Sequence, residues 1–198
     1  MDFDFTTLPE ADRYRLLCSF VGPRPIALVT TVDDRGCQNA APMSFFNVFS
    51  HAPPLLILGM QTRGDGSEKD TVANIRRSGE FVAHMVDLTI AEEMIVTSVS
   101  FPSDVDEIQF AGLTSTPSVQ VSAPRIKESP CAMECRVAQI LDYERRSIVI
   151  GEVVQMYVRD ECLDQAGRYV QPEVYQPIAR LHADNYIASD NQFVLKSP

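Results

Sequence analysis

Ile26-Ala27-Leu28-Val29-Thr30-Thr31-Val32-Asp33-Asp34-Arg35-Gly36 is the stretch on which the fold turns. An apolar, β-branched run that ends in Asp-Asp-Arg-Gly reads as a strand entering a hairpin loop, with a second extended segment leaving it. The same arrangement recurs downstream. Leu141-Asp142-Tyr143-Glu144-Arg145-Arg146 separates two long strand candidates over 131–141 and 147–158. Further strands are predicted over 25–32, 55–59 and 81–86. Strands that follow one another through hairpins, with few helices between them, favour a mainly β antiparallel barrel over a doubly wound sheet.

Helical signals are sparse. Thr7 and Glu10 have capping-box spacing ahead of Tyr14, Leu16 and Leu17, which predicts a helix over about 8–18 that Gly22-Pro23 stops. Thr89 and Glu92 repeat the device before Met94, Ile95 and Val99. A third helix is expected from Thr71, with Val72 and Ile75 inward and Gly79 as terminator. No internal repeat and no linker-like stretch divides the chain.

Composition excludes several classes of function. Among 198 residues, 17 are Lys or Arg and 27 are Asp or Glu, a formal charge of −10 with no concentrated basic face, which argues against nucleic acid as a partner. The longest apolar stretch, 52–60, contains Pro53 and Pro54 and falls far short of the ~20 residues that span a bilayer. The acidic start Met1-Asp2-Phe3-Asp4-Phe5 has no basic-then-apolar layout. Five scattered cysteines fit neither a disulfide framework nor a zinc ribbon. The expectation is a soluble chain in a reducing cytoplasm, with no membrane attachment.

Two segments carry chemistry. In Arg63-Gly64-Asp65-Gly66-Ser67-Glu68-Lys69-Asp70-Thr71 the glycines free backbone N–H groups, Lys69 and Arg63 bring positive charge, and Asp70 or Thr71 can cap the helix that follows. Such a loop can seat a phosphate. It can equally be a solvated loop with an ordinary helix cap. Lys69 stands where a dinucleotide fingerprint would need its third glycine, so a Rossmann site is disfavoured. The second segment is Asn39-Ala40-Ala41-Pro42-Met43-Ser44-Phe45-Phe46-Asn47. Pro42 should interrupt a strand and leave backbone amides unpaired beside an apolar cavity, where a flat heterocycle could bind. The other reading makes Phe45 and Phe46 core residues of a bulged strand.

The remaining candidates read as structural. His51, His84 and His182 lack metal-ligand spacing. Cys131 and Cys135 share a strand face as small hydrophobes. Ser44 lacks a nucleophile elbow. Glu92-Glu93 and Asp106-Glu107 read as solvated helix starts, and Met85, Met94 and Met133 as core filler.

Several ordered stretches resemble the flavin reductase-like, FMN-binding split-barrel family, in its flavoredoxin-like branch. They are 23–32, 39–47, Pro53-Pro54-Leu55, Lys69-Asp70-Thr71 with Asn74-Ile75, Gly112-Leu113-Thr114, Pro124-Arg125-Ile126, Glu128-Ser129-Pro130, Glu134-Cys135, Gly151-Glu152-Val153 and 177–181. The resemblance implies one domain over 1–198, a six-stranded antiparallel split β-barrel with a C-terminal extension over about 160–198. It also implies a homodimer with FMN near the subunit interface. By position it places Thr30 and Thr31 on the strand bordering the flavin, and Ala41, Pro42, Met43, Ser44, Phe45, Phe46 and Asn47 along its ring and ribityl chain. Ser44, Lys69 and Thr71 would hold the phosphate, with Arg63 and Asp70 beside them and Tyr186 near the ring. His182-Ala183-Asp184-Asn185 replaces the family's glycines, His84 replaces a polar amide, and the loop before Lys69 is longer than usual.

The implied activity is an FMN-dependent oxidoreductase, an NAD(P)H:flavin or small-acceptor reductase in which hydride passes from nicotinamide to flavin with no protein acid or base, and hence no catalytic residue, required. The alternative is a non-enzymatic FMN-binding electron carrier. No metal is expected.

Overall fold

The computed structural model describes residues 1–189 and 191–196, so the far end of the extension expected over 160–198 lies outside the described residues. In chain order the elements are α1 (Glu10–Phe20), β1 (Arg24–Pro25), β2 (Ala27–Val32), β3 (Gln38–Met43), β4 (Phe46–His51), β5 (Pro54–Gln61), α2 (Asp70–Ser78) and β6 (Glu80–Met85). They continue with α3 (Ala91–Val96), α4 (Glu107–Phe110), β7 (Ser115–Thr116), β8 (Arg125–Ile126), β9 (Cys131–Tyr143), β10 (Arg146–Val158), β11 (Ile178–Arg180) and β12 (Tyr186–Ala188). No described helix is long and apolar enough to cross a membrane.

The chain is mainly β. Its principal sheet is antiparallel and runs β3-β2-β6-β9-β10-β5-β4. Both predicted hairpins are present. Asp33 shapes the first by accepting from the amides of Arg35 at 2.8 Å and Cys37 at 2.7 Å. The second closes tightly, with Tyr143 opposite Arg146. The sheet has seven strands where six were expected. β4 is the addition. It lies at an edge and is mostly exposed, so it carries no alternation of buried and solvated positions for a sequence pattern to register.

Met43 of β3 and Phe46 of β4 come from opposite margins of the sheet, yet both pack into one buried cluster with Val29, Leu56, Phe81 and Val149. The sheet is therefore curled on itself, and this cluster is its interior. Ala27 and Val29 of β2 face inward while Leu28 faces a second cluster with Ile90, Met94, Ile108 and Ile178. Because helices cover its outer face, β2 is buried on both sides and reads as a continuous apolar run. Among the glycines, Gly151 of β10 is the most crowded: a Cβ there would run into the Phe81 ring of β6.

Two helix starts differ from expectation. Pro9 precedes α1 and no side chain caps it, so Thr7 and Glu10 form no capping box. α3 starts after Ile90 with no side-chain cap, so Thr89 and Glu92 form no capping box there; Asp87 instead caps the 3-10 turn over 88–90 that leads into it, its carboxylate accepting from the Thr89 amide. Aspartate reaches an amide two residues on as readily as threonine reaches three. The third helix keeps its predicted terminator, Gly79, in the left-handed region at φ 71°.

Candidate functional site

β3 is an open margin of the sheet, and its free side forms one wall of the site. It pairs with β2 without interruption from Gln38 to Met43. The Ala40 amide points away from β2 and donates to Glu107 Oε2 at 2.8 Å. Pro42, two residues on, faces the same way. Its missing N–H therefore removes nothing from the ladder, and the expected interruption does not occur.

At one end of this wall stands the start of α2. Lys69 is its N-cap position, no side chain caps the helix, and the first-turn amides open outward. Asp70 and Thr71, the expected caps, are engaged elsewhere. Asp70 pairs with Arg63 at 2.6 Å, and the Thr71 hydroxyl lies 3.0 Å from the Asn39 amide. Arg63 also donates to the Glu68 carbonyl. Of the two cations in this loop, Arg63 is thus paired and Lys69 has no carboxylate partner among the described residues.

Behind the wall the expected Thr31 and Thr71 belong to a polar layer with Asn39, Asn74 and Glu107. Oriented to satisfy its neighbours, the Asn39 amide donates to Glu107 Oε2 at 3.2 Å and accepts from Thr71 Oγ1 at 3.0 Å. Asn74 Nδ2 donates to Thr31 Oγ1 at 3.0 Å. Glu107 is 8% exposed. The reading of Asp106-Glu107 as a solvated pair holds for Asp106, which caps α4 through the Gln109 amide, and fails for Glu107. One residue along a helix turns a side chain by ~100°, enough to carry it from solvent into the strand margin. Burial, reinforced by the nearby Asp70 and Asp106 charges, pushes the Glu107 carboxyl up to about 7. At neutral pH much of it is uncharged, which lowers the negative charge next to Lys69.

Two cavities meet along this wall. The first, of about 220 Å³, is lined by Ala41, Pro42 and Met43 on the strand and by Arg63, Lys69, Asp70 and Thr71 at the helix start. The second, of about 360 Å³, contains Ser44 and Tyr186 over a floor of Ile26 and Met94. Pro42, Ser98 and Arg180 border both. Phe45, Phe46 and Asn47 turn instead, with Ser44, to a shallower recess. Thr30 and Thr31 reach none of these spaces. Both are fully buried, and the Thr30 hydroxyl donates to the Pro124 carbonyl at 2.5 Å.

Arg180 escaped sequence reasoning although its neighbours did not. Its guanidinium lies 5.9 Å from the Tyr186 ring, and Nε and Nη2 donate to the Ala183 carbonyl at 3.2 and 3.1 Å. Ala183 has φ 50°, in the left-handed region where glycine is the usual occupant.

His84 lies apart from the site. Its Nδ1 donates to the Leu28 carbonyl at 2.9 Å and its Nε2 accepts from the Ile126 amide at 2.9 Å, the donor–acceptor pair that a side-chain amide would also supply. Complete burial lowers its pKa to about 4. Burial likewise pushes the Cys131 thiol up to about 12 and the Cys135 thiol further, so neither is a ready nucleophile.

A family model described as the flavin reductase like domain matches residues 22–178. An uncharacterized protein of Aquifex aeolicus is 38% identical over 183 residues, covering 92% of this chain and 93% of its own. Among solved structures, the 2-nitrobenzoate 2-nitroreductase NbaA of Pseudomonas fluorescens is 37% identical with a TM-score of 0.91, over 100% of this chain and 96% of that one. Nitrilotriacetate monooxygenase component B of Bacillus cereus is 33% identical with a TM-score of 0.92, over 98% of both chains. Flavoredoxin of Desulfovibrio vulgaris, at 19% identity and TM-score 0.80 over 100% of this chain and 97% of its own, shares the split-barrel fold.

Proposed function

The chain belongs to the flavin reductase-like family, and from that premise we propose that it is an FMN-dependent oxidoreductase that takes hydride from NADH or NADPH and passes electrons to free flavin or a small acceptor. The observation that carries this reading is the pair of adjoining cavities along the free margin of β3. They run from an uncapped helix start beside an unpaired lysine to an aromatic side chain.

The donor set fits a phosphomonoester. First-turn amides and the Lys69 ammonium are dipolar and cationic donors at one helix start, while Arg63 pairs with Asp70 and Glu107 is about half uncharged at pH 7. The outward carbonyls of the regular β3 backbone would accept from a ribityl chain along its length, and Pro42 gives an apolar surface for a flat ring. When bound, FMN supplies the two-electron chemistry. The residues of this chain bind and orient: Lys69 anchors, Asn39 holds Thr71, Glu107 fixes β3 against α4, and Ser44 and Tyr186 bound the space where the ring and its reaction partner meet.

Fluorescence titration with FMN tests the cofactor. Lys69→Ala should weaken FMN by at least about tenfold, the worth of one charge-assisted contact, and leave riboflavin, which lacks the phosphate, unaffected. Equal losses for both would remove Lys69 from the phosphate seat. Turnover is then tested by mixing the loaded protein with NADH or NADPH and following nicotinamide absorbance. Oxidation no faster than in a protein-free control would favour the electron-carrier reading, for which the departure at His182–Asn185 beside the ring space is the feature in hand.

The working unit in this proposal is a homodimer. Val48 and Phe49 on edge strand β4 are 56% and 68% exposed, next to an apolar cavity of about 420 Å³. A face of this kind is one a second copy would cover.

A further inference from the structure

The adjoining cavities share a cation that the phosphate seat does not use. Arg180 sits where the two cavities join, on a strand paired on both sides, to β1 at Arg24 and to β12 at Tyr186. Its Nε and Nη2 are tied to the Ala183 carbonyl, which leaves Nη1 free of protein acceptors among the described residues. That carbonyl belongs to a residue held in the left-handed region, which a residue other than glycine adopts at a cost. The turn is otherwise regular, with Leu181 donating to Asn185 and Asn185 to His182. Asp184 is the only carboxylate among the described residues that line the second cavity. It stands 3.8 Å from the guanidinium and is fully exposed, so it neutralises the cation weakly.

From this we infer that the 360 Å³ cavity selects a small planar ligand carrying a carboxylate, with the ring between Tyr186 and the Ile26–Met94 floor and the carboxylate on Arg180. A held guanidinium presents donors in a plane that suits a carboxylate, and a neighbouring aromatic face suits a flat ring. Ser44 and Ser98 add hydroxyls at the rim. Arg180 is then a specificity residue. The inference rests on the flavin reading only in one respect: a ligand of this class that also bears a reducible group would take the two electrons that reduced flavin gives up.

Calorimetric titration with benzoate and with benzamide, its uncharged counterpart, tests the site directly, on the protein alone and after loading with FMN. The intact protein should prefer benzoate by at least about tenfold, and Arg180→Gln should reduce the preference to within about twofold. FMN affinity in that variant should stay within about threefold of the parent; a larger loss would make Arg180 a cofactor ligand and overturn the inference. Equal binding of the two probes, or binding of neither, would overturn it as well. Asp184→Asn, at a fully exposed position that leaves the fold alone, should raise benzoate affinity about twofold and leave benzamide unchanged; no gain would count against a carboxylate on Arg180. Failure of FMN to bind would defeat the flavin reading while the benzoate–benzamide comparison on the protein alone still decides this one.

Discussion

Glu107 and His84 are buried ionisable groups whose environments drive them in opposite directions. The Glu107 carboxyl rises from 4.5 to about 7, so the folded chain holds a proton that the unfolded chain releases. Its contribution to stability is complete below about 4.5 and is lost as pH climbs through 7. Above 7 it also places a second negative charge beside Asp70 in the phosphate seat. Glu107→Gln keeps the hydrogen bonds without the charge. The ratio of FMN affinity in this variant to that in the parent should therefore grow as pH is raised from 6 to 8; a flat ratio would show that the carboxylate is not felt at the seat. His84 falls from 6.5 to about 4, so here the unfolded chain binds the extra proton. Stability drawn from the neutral ring is complete above 6.5 and is lost as pH drops toward 4, on the order of 3 kcal/mol in full. His84→Ala strands the Leu28 carbonyl and the Ile126 amide and should cost about 2–4 kcal/mol in denaturant unfolding. His84→Gln, with a donor and an acceptor of its own, should recover most of that.

β10 shows how a strand can depend on an absent side chain. It bends at a register shift between Ile150 and Gly151, and the Phe81 ring of β6 fills the space where a Cβ would stand. Gly151→Ala should destabilise the barrel by about 1–3 kcal/mol, read as a lower denaturant midpoint, with FMN affinity retained because the site lies on β3. Elements with strong periodicity or hairpin chemistry were legible: β2, β5, β6, β9, β10 and the body of α2. β4 was hidden because an exposed edge strand needs no alternation. Within the site, Lys69 and its helix were visible because charge, glycines and a helix start coincide in one local stretch. Asn39, Glu107 and Arg180 were not. Their roles come from partners 32, 67 and 3 residues away, through bonds to Thr71, Ala40 and the Ala183 carbonyl, and only tertiary packing brings the first two to the strand margin. Pro42 misled for a related reason: which side of a strand an amide faces is fixed by its pairing, not by its identity.

The proposed dimer would draw on what the curled sheet leaves outside. Phe49 projects from β4 at 68% exposure, and Met156 and Tyr157 stand exposed on the far half of β10. Phe49→Asp should convert a sedimenting dimer to monomer at micromolar concentration without lowering the monomer's own unfolding midpoint; a monomer already present in the parent would remove the dimer from the account. The free margin of β3 has a different fate. An unpaired strand is a template for adventitious β-pairing between molecules, the first step toward fibrous aggregates. Here the hazard is blunted without closing the margin. A carboxyl from α4 occupies the outward amide of Ala40, and an imino acid at position 42 has no hydrogen to offer. The outer rail of the sheet is thereby denied to another polypeptide without a further strand to cover it.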